Sequence, residues 1–381
     1  MRSPLKLERS SALIGMVAAG VLVFTACGSD DNTASGSADV SASTASCEGK
    51  ATLSGAGSSA QKNAMDSFTS AYIAACQAKG KTVNVAYNPS GSGDGRTQFI
   101  ANQVDFGGSD SAIKGDQAAQ AAQRCAGNEA WNIPLVFGPV ALAFNIDGVD
   151  SLVLNGDTAA KIFNGQITKW NDPAIAALNE GATLPDTPIT VFFRSDSSGT
   201  TDNFQQYLEA ASNGAWTQGA GSDFKGGIGQ GAKGSAGVAQ AVATTPGSIT
   251  YVEASFADQN KLNAAAIDTG SGPVELSTET ASKSIESAKF VEQGSNNLAL
   301  DLKQTYASNE PGAYPLILAT YEIVCSNGYP ADTAGGIKSF LTSAANEGQQ
   351  GLEELGYVPL PESFKEKVVT SIDAIGGAPT Q

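Results

Sequence analysis

Four short segments place hydroxyl side chains and glycine where a strand gives way to a helix. They are 57–60 (Gly-Ser-Ser-Ala), 90–93 (Ser-Gly-Ser-Gly), 109–111 (Ser-Asp-Ser) and 197–200 (Ser-Ser-Gly-Thr), and Arg194 precedes the last of them. A helix N-terminus offers unpaired backbone N–H groups and a partial positive charge, which suit an anion. Glycine lets the backbone come close, and Ser and Thr add hydroxyl donors. The pattern predicts an anion site assembled from several turns.

Each turn taken alone has an ordinary structural explanation. Ser or Thr at a helix start usually caps the helix, and Arg194 is equally explained as a salt-bridge partner of Asp196. The phosphate loop GxxxxGK[ST] does not occur in the sequence, and the glycine-rich run 226–237 is interpreted as a tight turn. The recurrence of the turns, together with an arginine at a strand end, favours binding over capping.

The elements that must position these turns alternate between strand and helix. Strands are predicted at 51–53, 83–87, 104–106, 140–146, 189–193, 249–252 and 314–325. Helices are predicted at 96–102, 112–124, 158–163, 201–211, 238–244, 332–345 and 362–375. This alternation indicates an α/β fold with a largely parallel sheet, in which ligands bind at the carboxyl ends of the strands.

Composition excludes several classes of function. The 381 residues carry 22 Lys and Arg against 38 Asp and Glu, a formal net charge of −16. Nucleic-acid binding needs clustered positive charge, so we expect no nucleic-acid partner. The absence of histidine rules out His-based triads, His zinc sites and imidazole acid–base catalysis. No metal site and no cofactor are expected.

The first 26 residues have the features of an export signal. Basic residues at 2, 6 and 9 precede an apolar run at 12–24, which is shorter than a membrane span requires. The run ends in Phe-Thr-Ala-Cys, which resembles a bacterial lipobox and implies lipidation of Cys27. Plain secretion and an uncleaved anchor are the alternatives. From residue 28 to residue 46 the chain is poor in apolar residues, so we expect a flexible tether at 27–46.

Four further cysteines suit an exported protein with two disulfides, for which three pairings exist. Cys47 precedes the first predicted strand, and Cys76 lies near the end of the helix that follows. Because that helix runs back along the strand, its end returns to the strand's start. We therefore expect a Cys47–Cys76 bond and, by elimination, a Cys125–Cys325 bond. Buried free thiols are the alternative.

Several longer segments resemble the PstS family, the phosphate-binding proteins of high-affinity phosphate ABC importers. They are 55–59 (GAGSS), 100–110 (IANQVDFGGSD), 162–173 (IFNGQITKWNDP), 194–200 (RSDSSGT), 233–238 (KGSAGV) and 249–253 (ITYVE). The resemblance implies a periplasmic-binding-protein type II fold, with two α/β lobes and a ligand cleft between them. Lobe I would comprise 47–140 plus 257–381, and lobe II would comprise 141–256, after a signal peptide at 1–26 and the tether at 27–46.

The resemblance also implies a set of ligands for inorganic phosphate. Carried across position by position, they are Ser59, the Ala60 backbone N–H, Ser92, Asp110, Arg194, Ser198, the Gly199 N–H and Thr200. Relatives often carry Phe at position 60, but Ala suffices where only the N–H is used. Asp196 is expected to orient Arg194. The protein would be a monomer that is anchored by lipid on the outer face of the cell membrane and delivers phosphate to an ABC permease.

A carboxylate beside an anion makes sense if it accepts the phosphate O–H. Phosphate keeps a proton at neutral pH, whereas sulfate has none to give, so Asp110 would face a lone pair of a sulfate oxygen. A site built around such a bond rejects analogues that lack it. Sulfate or molybdate is accordingly the second choice of ligand.

Two other functions remain open at this point. A phosphatase or phosphotransferase would use Ser59, Ser198 or Thr200 as nucleophile, but no activating base is visible in the sequence. A signalling or adhesive surface lipoprotein would keep the fold without binding an oxyanion.

Overall fold

The computed structural model describes residues 43–376, in which strands and helices alternate. The strands are β1 (Thr52–Gly57), β2 (Asn84–Asn88), β3 (Phe106–Ser109), β4 (Ala130–Asn145), β5 (Val153–Leu154), β6 (Thr190–Arg194), β7 (Gln230–Ala232), β8 (Ser248–Glu253), β9 (Asn263–Ala264), β10 (Ala266–Asp268), β11 (Pro273–Val274), β12 (Lys289–Phe290), β13 (Leu300–Asp301) and β14 (Ile317–Cys325). The helices are α1 (Lys62–Ala78), α2 (Ser92–Ile100), α3 (Gly115–Arg124), α4 (Gly156–Phe163), α5 (Pro173–Ala176), α6 (Gly199–Ala211), α7 (Gly234–Ala243), α8 (Ala254–Gln259), α9 (Thr278–Ser287), α10 (Lys303–Tyr306), α11 (Ala331–Ala345) and α12 (Glu362–Asp373). Short 3-10 turns occupy Glu347–Gln349 and Glu353–Leu355. The predicted α/β class is confirmed.

The main sheet is mixed rather than largely parallel. Its strands follow the order β2-β1-β3-β14-β4-β8-β6-β7, with β9 also paired to β4. The outer trios β2-β1-β3 and β8-β6-β7 are parallel, as predicted, because each strand is followed by a returning helix. The central strands β14 and β4 run antiparallel to their neighbours. Their orientation depends on long-range pairing that local periodicity does not encode.

Strand β4 changes its partner midway. Its first part, up to Pro139, pairs with β14, and from Val140 onward it pairs with β8. The change lies next to the expected lobe boundary at 140/141. The described residues, 43–376, nevertheless belong to one compact unit. The observed start of β14 at Ile317, later than the predicted 314, follows from Pro315, which has no N–H for a ladder bond.

Helix α1 shows how the sequence orients the first turn. Met65, Phe68, Tyr72 and Cys76 recur every three or four residues and are all buried. That spacing forms one apolar face, which packs toward α11, where the Tyr72 ring meets Phe340 edge-on at 5.6 Å. The packing fixes the direction of α1 and therefore the position of the turn at its N-terminus.

Both predicted disulfides are present. The Cα atoms of Cys47 and Cys76 lie 5.5 Å apart, and those of Cys125 and Cys325 lie 5.3 Å apart. The second bond joins the ends of α3 and β14 across 200 residues of sequence. It thereby ties β14 to the first half of the sheet.

Part of the predicted tether is packed against the protein body. Ala45 is fully buried, and the Thr44 hydroxyl donates to Glu347 Oε2 at 2.9 Å. The chain is thus held from about residue 43, because the packing of Ala45 compensates for its ordering entropy. The signal peptide, Cys27 and the rest of the tether lie outside the described residues. Within residues 43–376, no helix is long and apolar enough to cross a membrane.

Candidate functional site

Three hydroxyl groups from three separate elements converge on the carboxylate of Asp110, directly after β3. Ser58 and Thr320 donate to its Oδ1 at 2.5 and 2.7 Å, and Ser92 donates to its Oδ2 at 3.0 Å. Ser58 follows β1, Ser92 begins α2, and Thr320 lies in β14. The pairing of β1 with β3, and of β3 with β14, brings these elements together.

The carboxylate of Asp110 retains one unused acceptor position. An ionised carboxylate has about four lone-pair sites, and the three hydroxyl donors occupy two on Oδ1 and one on Oδ2. Burial raises the pKa of Asp110, while the donors Ser58, Thr320 and Ser92 and the charge of Arg194 limit that rise. Asp110 is thus an acceptor with room for one further proton donor at Oδ2.

Arg194, at the end of β6, is held by a two-point ion pair with Asp196. Its Nε and Nη2 donate to Asp196 Oδ1 and Oδ2 at 2.8 and 2.5 Å. Burial works to lower the pKa of Arg194, but the hydrogen bond and charge of Asp196 outweigh it and raise that pKa. Asp196 also accepts the Gly234 N–H at 2.9 Å. These contacts hold the guanidinium plane in one orientation.

The remaining nitrogen of Arg194, Nη1, faces two hydroxyl groups. It lies 3.2 Å from Ser235 Oγ and 3.4 Å from Thr200 Oγ1. Thr200 in turn donates to Oε1 of Glu253 at 2.5 Å. Glu253 ends β8 and is fully buried. A second carboxylate therefore stands on the other side of Arg194 from Asp196.

Helix α6 begins directly against Asp110. The Ser198 hydroxyl caps it by accepting the Thr201 N–H at 3.1 Å. A Cβ on Gly199 would lie 2.6 Å from both Asp110 Cβ and Ser92 Oγ, so only glycine allows this approach. The Asn203 side chain ties the two together by donating to Asp110 O at 2.7 Å and to Gly199 O at 2.9 Å.

The first turn meets the start of α7. The Ser235 N–H donates to Ser59 Oγ at 3.0 Å, and the two hydroxyl groups share a bond of 2.9 Å. The Ala60 N–H donates to Ser58 Oγ at 3.0 Å. A further contact joins Gly93 N to Ser197 O at 2.9 Å. The turns of both sheet halves are thus in direct contact.

All the predicted ligand residues are brought together and buried. Exposure is 6% for Ser59, 4% for Asp110 and 3% for Arg194. The others are equally enclosed, namely Ala60, Ser92, Ser198, Gly199 and Thr200. Polar groups at this depth are satisfied mainly by one another, as buried groups must be. What each contributes to a ligand stays a prediction.

Sequence reasoning missed four residues of this cluster. Thr320 lay in a segment interpreted only as an apolar strand, and Ser235 lay inside the glycine-rich surroundings of 226–237. In the turn at 57–60, the predicted ligand is Ser59 and not its neighbour Ser58. Glu253 had a usable signal, because a lone acid closes the apolar run Ile-Thr-Tyr-Val at 249–252 and occupies the carboxyl end of a parallel strand.

A further buried acid lies behind the first turn. Glu322 of β14 is fully buried, and neither of its carboxyl oxygens has a hydrogen-bond donor within bonding geometry. Burial raises the pKa of Glu322 to about 8. The nearby Gln61 amide acts to lower this pKa, and the charge of Asp110 acts to raise it further. Gln61 donates to Tyr87, which donates to Ser58 O at 2.9 Å. Glu322 is therefore a largely neutral acid beneath the Ser58 turn.

No group of three or more His, Cys, Asp or Glu side chains within residues 43–376 could hold a metal ion. The arrangement offers instead one fixed guanidinium, the N-terminus of α6 and several hydroxyl groups. Two carboxylates, Asp110 and Glu253, flank these donors. Such a set can bind a small oxyanion through its oxygens and test it for a bound proton.

Comparison with known proteins places the chain in a family. Residues 41–345 match the PBP superfamily domain. The chain is 49% identical over 375 residues to "Phosphate-binding protein PstS2" of Mycobacterium bovis, covering 97% of this chain and 100% of that protein. It is 50% identical to "Phosphate-binding protein PstS 3" of Mycobacterium leprae, with the same coverage.

A solved structure shares the fold. The "Phosphate-Binding Protein from Stenotrophomonas maltophilia" aligns with a TM-score of 0.64 at 19% identity, covering 84% of this chain and 94% of that one. At that identity the likeness concerns the fold alone, and it agrees with the predicted periplasmic-binding-protein architecture. With relatives at about half identity over nearly the whole length, the chain belongs to the PstS family, within the PBP superfamily.

Proposed function

We propose that this chain is the extracytoplasmic solute-binding protein of an ABC-type phosphate importer. The observation that carries the proposal is the environment of Asp110, a buried carboxylate with three hydroxyl donors and one free acceptor position, facing the N-terminus of α6. The names of its relatives as phosphate-binding proteins support the same ligand. Binding proteins need no cofactor and perform no chemistry on the ligand.

The chemistry of the site fits inorganic phosphate. Arg194 supplies the positive charge through charge-assisted hydrogen bonds, and the N–H groups of the α6 N-terminus supply directed donors. The proposed ligand set is Ser59, Ala60 N–H, Ser92, Asp110, Arg194, Ser198, Gly199 N–H and Thr200. Asp110 accepts the phosphate O–H, so an oxyanion without a proton meets an unmatched lone pair.

Access to such a site requires the two sides to separate. The ligand residues are buried, and contacts such as Ser59–Ser235 and Gly93–Ser197 join the turns directly. We propose lobe I as 47–140 plus 257–381 and lobe II as 141–256, hinged where β4 changes partner at Pro139 and Val140. Opening would break the contacts between turns and free their donors for phosphate.

The cellular setting follows from the N-terminal segment. A signal peptide at 1–26 and lipidated Cys27 would anchor the protein on the outer face of the cell membrane. From there a monomer would deliver phosphate to the permease subunits.

Isothermal titration of the purified protein with phosphate, arsenate and sulfate tests the proposal. Phosphate and arsenate both carry a proton near neutral pH and should bind, whereas sulfate should not. Release of p-nitrophenol from p-nitrophenyl phosphate should be absent, and its presence would favour a phosphatase. If no oxyanion released heat or raised the melting temperature, a signalling or adhesive role would replace the proposal.

A further inference from the structure

Glu253 occupies a place in the cluster that the proposed ligand set does not use. It ends β8, opposite Val140 where β4 changes partner. The side chain is fully buried, its Oε1 accepts the Thr200 hydroxyl at 2.5 Å, and its Oε2 has no partner among the described residues. A buried carboxylate with one oxygen unmatched is unfavourable, so its retention beside the site calls for a functional explanation.

The bond between Thr200 and Glu253 fixes the direction of one proton. A hydroxyl has a single hydrogen, and an ionised carboxylate can only accept. While Glu253 is ionised, the hydrogen of Thr200 therefore points at Glu253, and Thr200 presents only lone pairs elsewhere. If Glu253 is protonated, it can donate to Thr200 Oγ1, which frees the Thr200 hydrogen for an anion.

The charges around Glu253 make the arrival of a dianion unfavourable without a proton. Among residues 43–376, the cation whose charge acts on Glu253 is Arg194 from β6, and this charge is already shared with Asp196. Asp110, from the turn after β3, is a second acid facing Glu253, and Tyr357 is a neutral phenol from the segment after Glu353–Leu355. Glu253, Asp110 and Asp196 thus lie around the single guanidinium of Arg194, and like charges in such a cluster favour proton uptake.

We propose that Glu253 couples phosphate binding to the uptake of one proton, through the direction of the Thr200 hydroxyl. This inference rests on the proposed function. The burial and charge that surround Glu253 also raise its pKa in the free protein, with the charge of Arg194 opposing the rise. Glu253 is therefore a positioning residue, because it acts on the ligand through Thr200.

The proton balance is simple. Free HPO₄²⁻, ionised Glu253 and one proton from solvent combine into the complex, and no covalent bond to phosphorus is made or broken. The P–OH group of the bound phosphate donates a hydrogen bond to Asp110 Oδ2. The added proton lies either on Glu253, with Thr200 donating to phosphate, or on a second phosphate oxygen that donates to Thr200. Both arrangements contain the same number of protons, so the count belongs to the group as a whole.

The proton count is measured by titrating phosphate in two buffers of different ionisation enthalpy, at about pH 8.5 where phosphate is mostly the dianion. We expect the wild-type protein to take up about one proton more than Glu253→Gln. The neutral amide can donate to Thr200 at every pH. As the pH rises, the phosphate affinity of the wild type should therefore fall more steeply than that of Glu253→Gln, by an extra factor of about ten per pH unit. Glu322 titrates equally in both proteins, so its contribution cancels in the difference.

Two further variants keep the test decisive. Glu286→Gln changes an exposed glutamate in α9 and should keep the wild-type proton count. Thr200→Val removes the hydroxyl that transmits the effect, and it carries the test if Glu253→Gln melts before the titration temperature. A wild-type proton count in Glu253→Gln, or in Thr200→Val where Glu253→Gln does not stay folded, would overturn the inference while leaving phosphate binding intact. A wild-type protein that binds no phosphate would instead contradict the proposed function.

Discussion

Replacing Asp110 with asparagine turns one hydrogen-bond acceptor of the site into a donor and keeps the shape of the side chain. In the wild type, Ser58 and Thr320 donate to Asp110 Oδ1 at 2.5 and 2.7 Å, and Oδ1 of the new amide can accept the same two hydrogen bonds. Nδ2 takes the place of Oδ2 beside Ser92, whose hydroxyl can rotate to accept it. Every buried group keeps a partner, so we expect the fold to survive.

The magnitude follows from what each oxyanion meets at position 110. With aspartate, phosphate gains a hydrogen bond to a charged group, which contributes about 1.5–3 kcal/mol. Sulfate leaves a buried acceptor unmatched, which costs about 1–3 kcal/mol. The amide introduced by Asp110→Asn removes both differences, since its N–H donates to any oxyanion. At about 1.4 kcal/mol per factor of ten, the lower ends of these two ranges predict that the preference for phosphate over sulfate falls about sixtyfold or more.

Competition calorimetry measures this preference directly. Phosphate is titrated into wild type and Asp110→Asn with and without excess sulfate, and Asp116→Asn, an exposed change in α3, is the matched control. The control should exclude sulfate as the wild type does. If Asp110→Asn excluded sulfate as strongly as the wild type, Asp110 would not be the group that tests for the proton.

Three other changes test separate parts of the structure. Arg194→Ala removes the positive charge that the site offers to the ligand, so phosphate affinity should fall at least about tenfold by calorimetry; unchanged affinity would exclude Arg194 from the site. Burial raises the pKa of Glu322 from its ordinary 4.5 to about 8, so its contribution to stability is full below the lower value and is lost as pH rises through the higher one. Glu322→Gln should therefore flatten the fall in melting temperature over that window, and parallel profiles would contradict the assignment. Replacing both Cys125 and Cys325 by serine should lower the free energy of unfolding by about 2–5 kcal/mol in denaturant titrations, and an unchanged midpoint would show that the bond adds no stability.

Local signals in the sequence were sufficient to locate the turns. The strand, turn and helix around Ser58 and Ser59 are specified by a short apolar run, glycine and an apolar face recurring every three or four residues. The Cys47–Cys76 bond could be predicted for the same reason, since its two ends belong to one strand–helix unit. The α/β class followed from the same local pattern, whereas the placement of Asp110 and Arg194 in a ligand cleft was implied by the resemblance to the PstS family.

Residues that reach the site through long-range pairing could not be found in this way. Thr320 contacts Asp110 because β14 crosses between β3 and β4, and the register shift beside Thr320 sets the strand's path there. The antiparallel course of β14 and β4 depends on the same pairings. Glu322 looks like an ordinary polar residue in an apolar strand, and only the three-dimensional packing shows that both its faces are covered.

The arrangement explains how a protein with a net charge of −16 can hold an anion. Overall charge acts weakly at the site, because charges beyond about 8–10 Å are screened by salt. Near the site the structure places two guanidinium groups, those of Arg194 and Arg96, and four carboxylates, those of Asp196, Asp110, Glu253 and Glu322. Asp196 fixes the guanidinium of Arg194, Asp110 has one acceptor position left for a protonated ligand, and Glu253 accepts the Thr200 hydroxyl. Attraction therefore depends on Arg194 and on the N–H and hydroxyl donors, while Asp110 supplies discrimination, so removing the carboxylate of Asp110 should broaden ligand choice more than it strengthens binding.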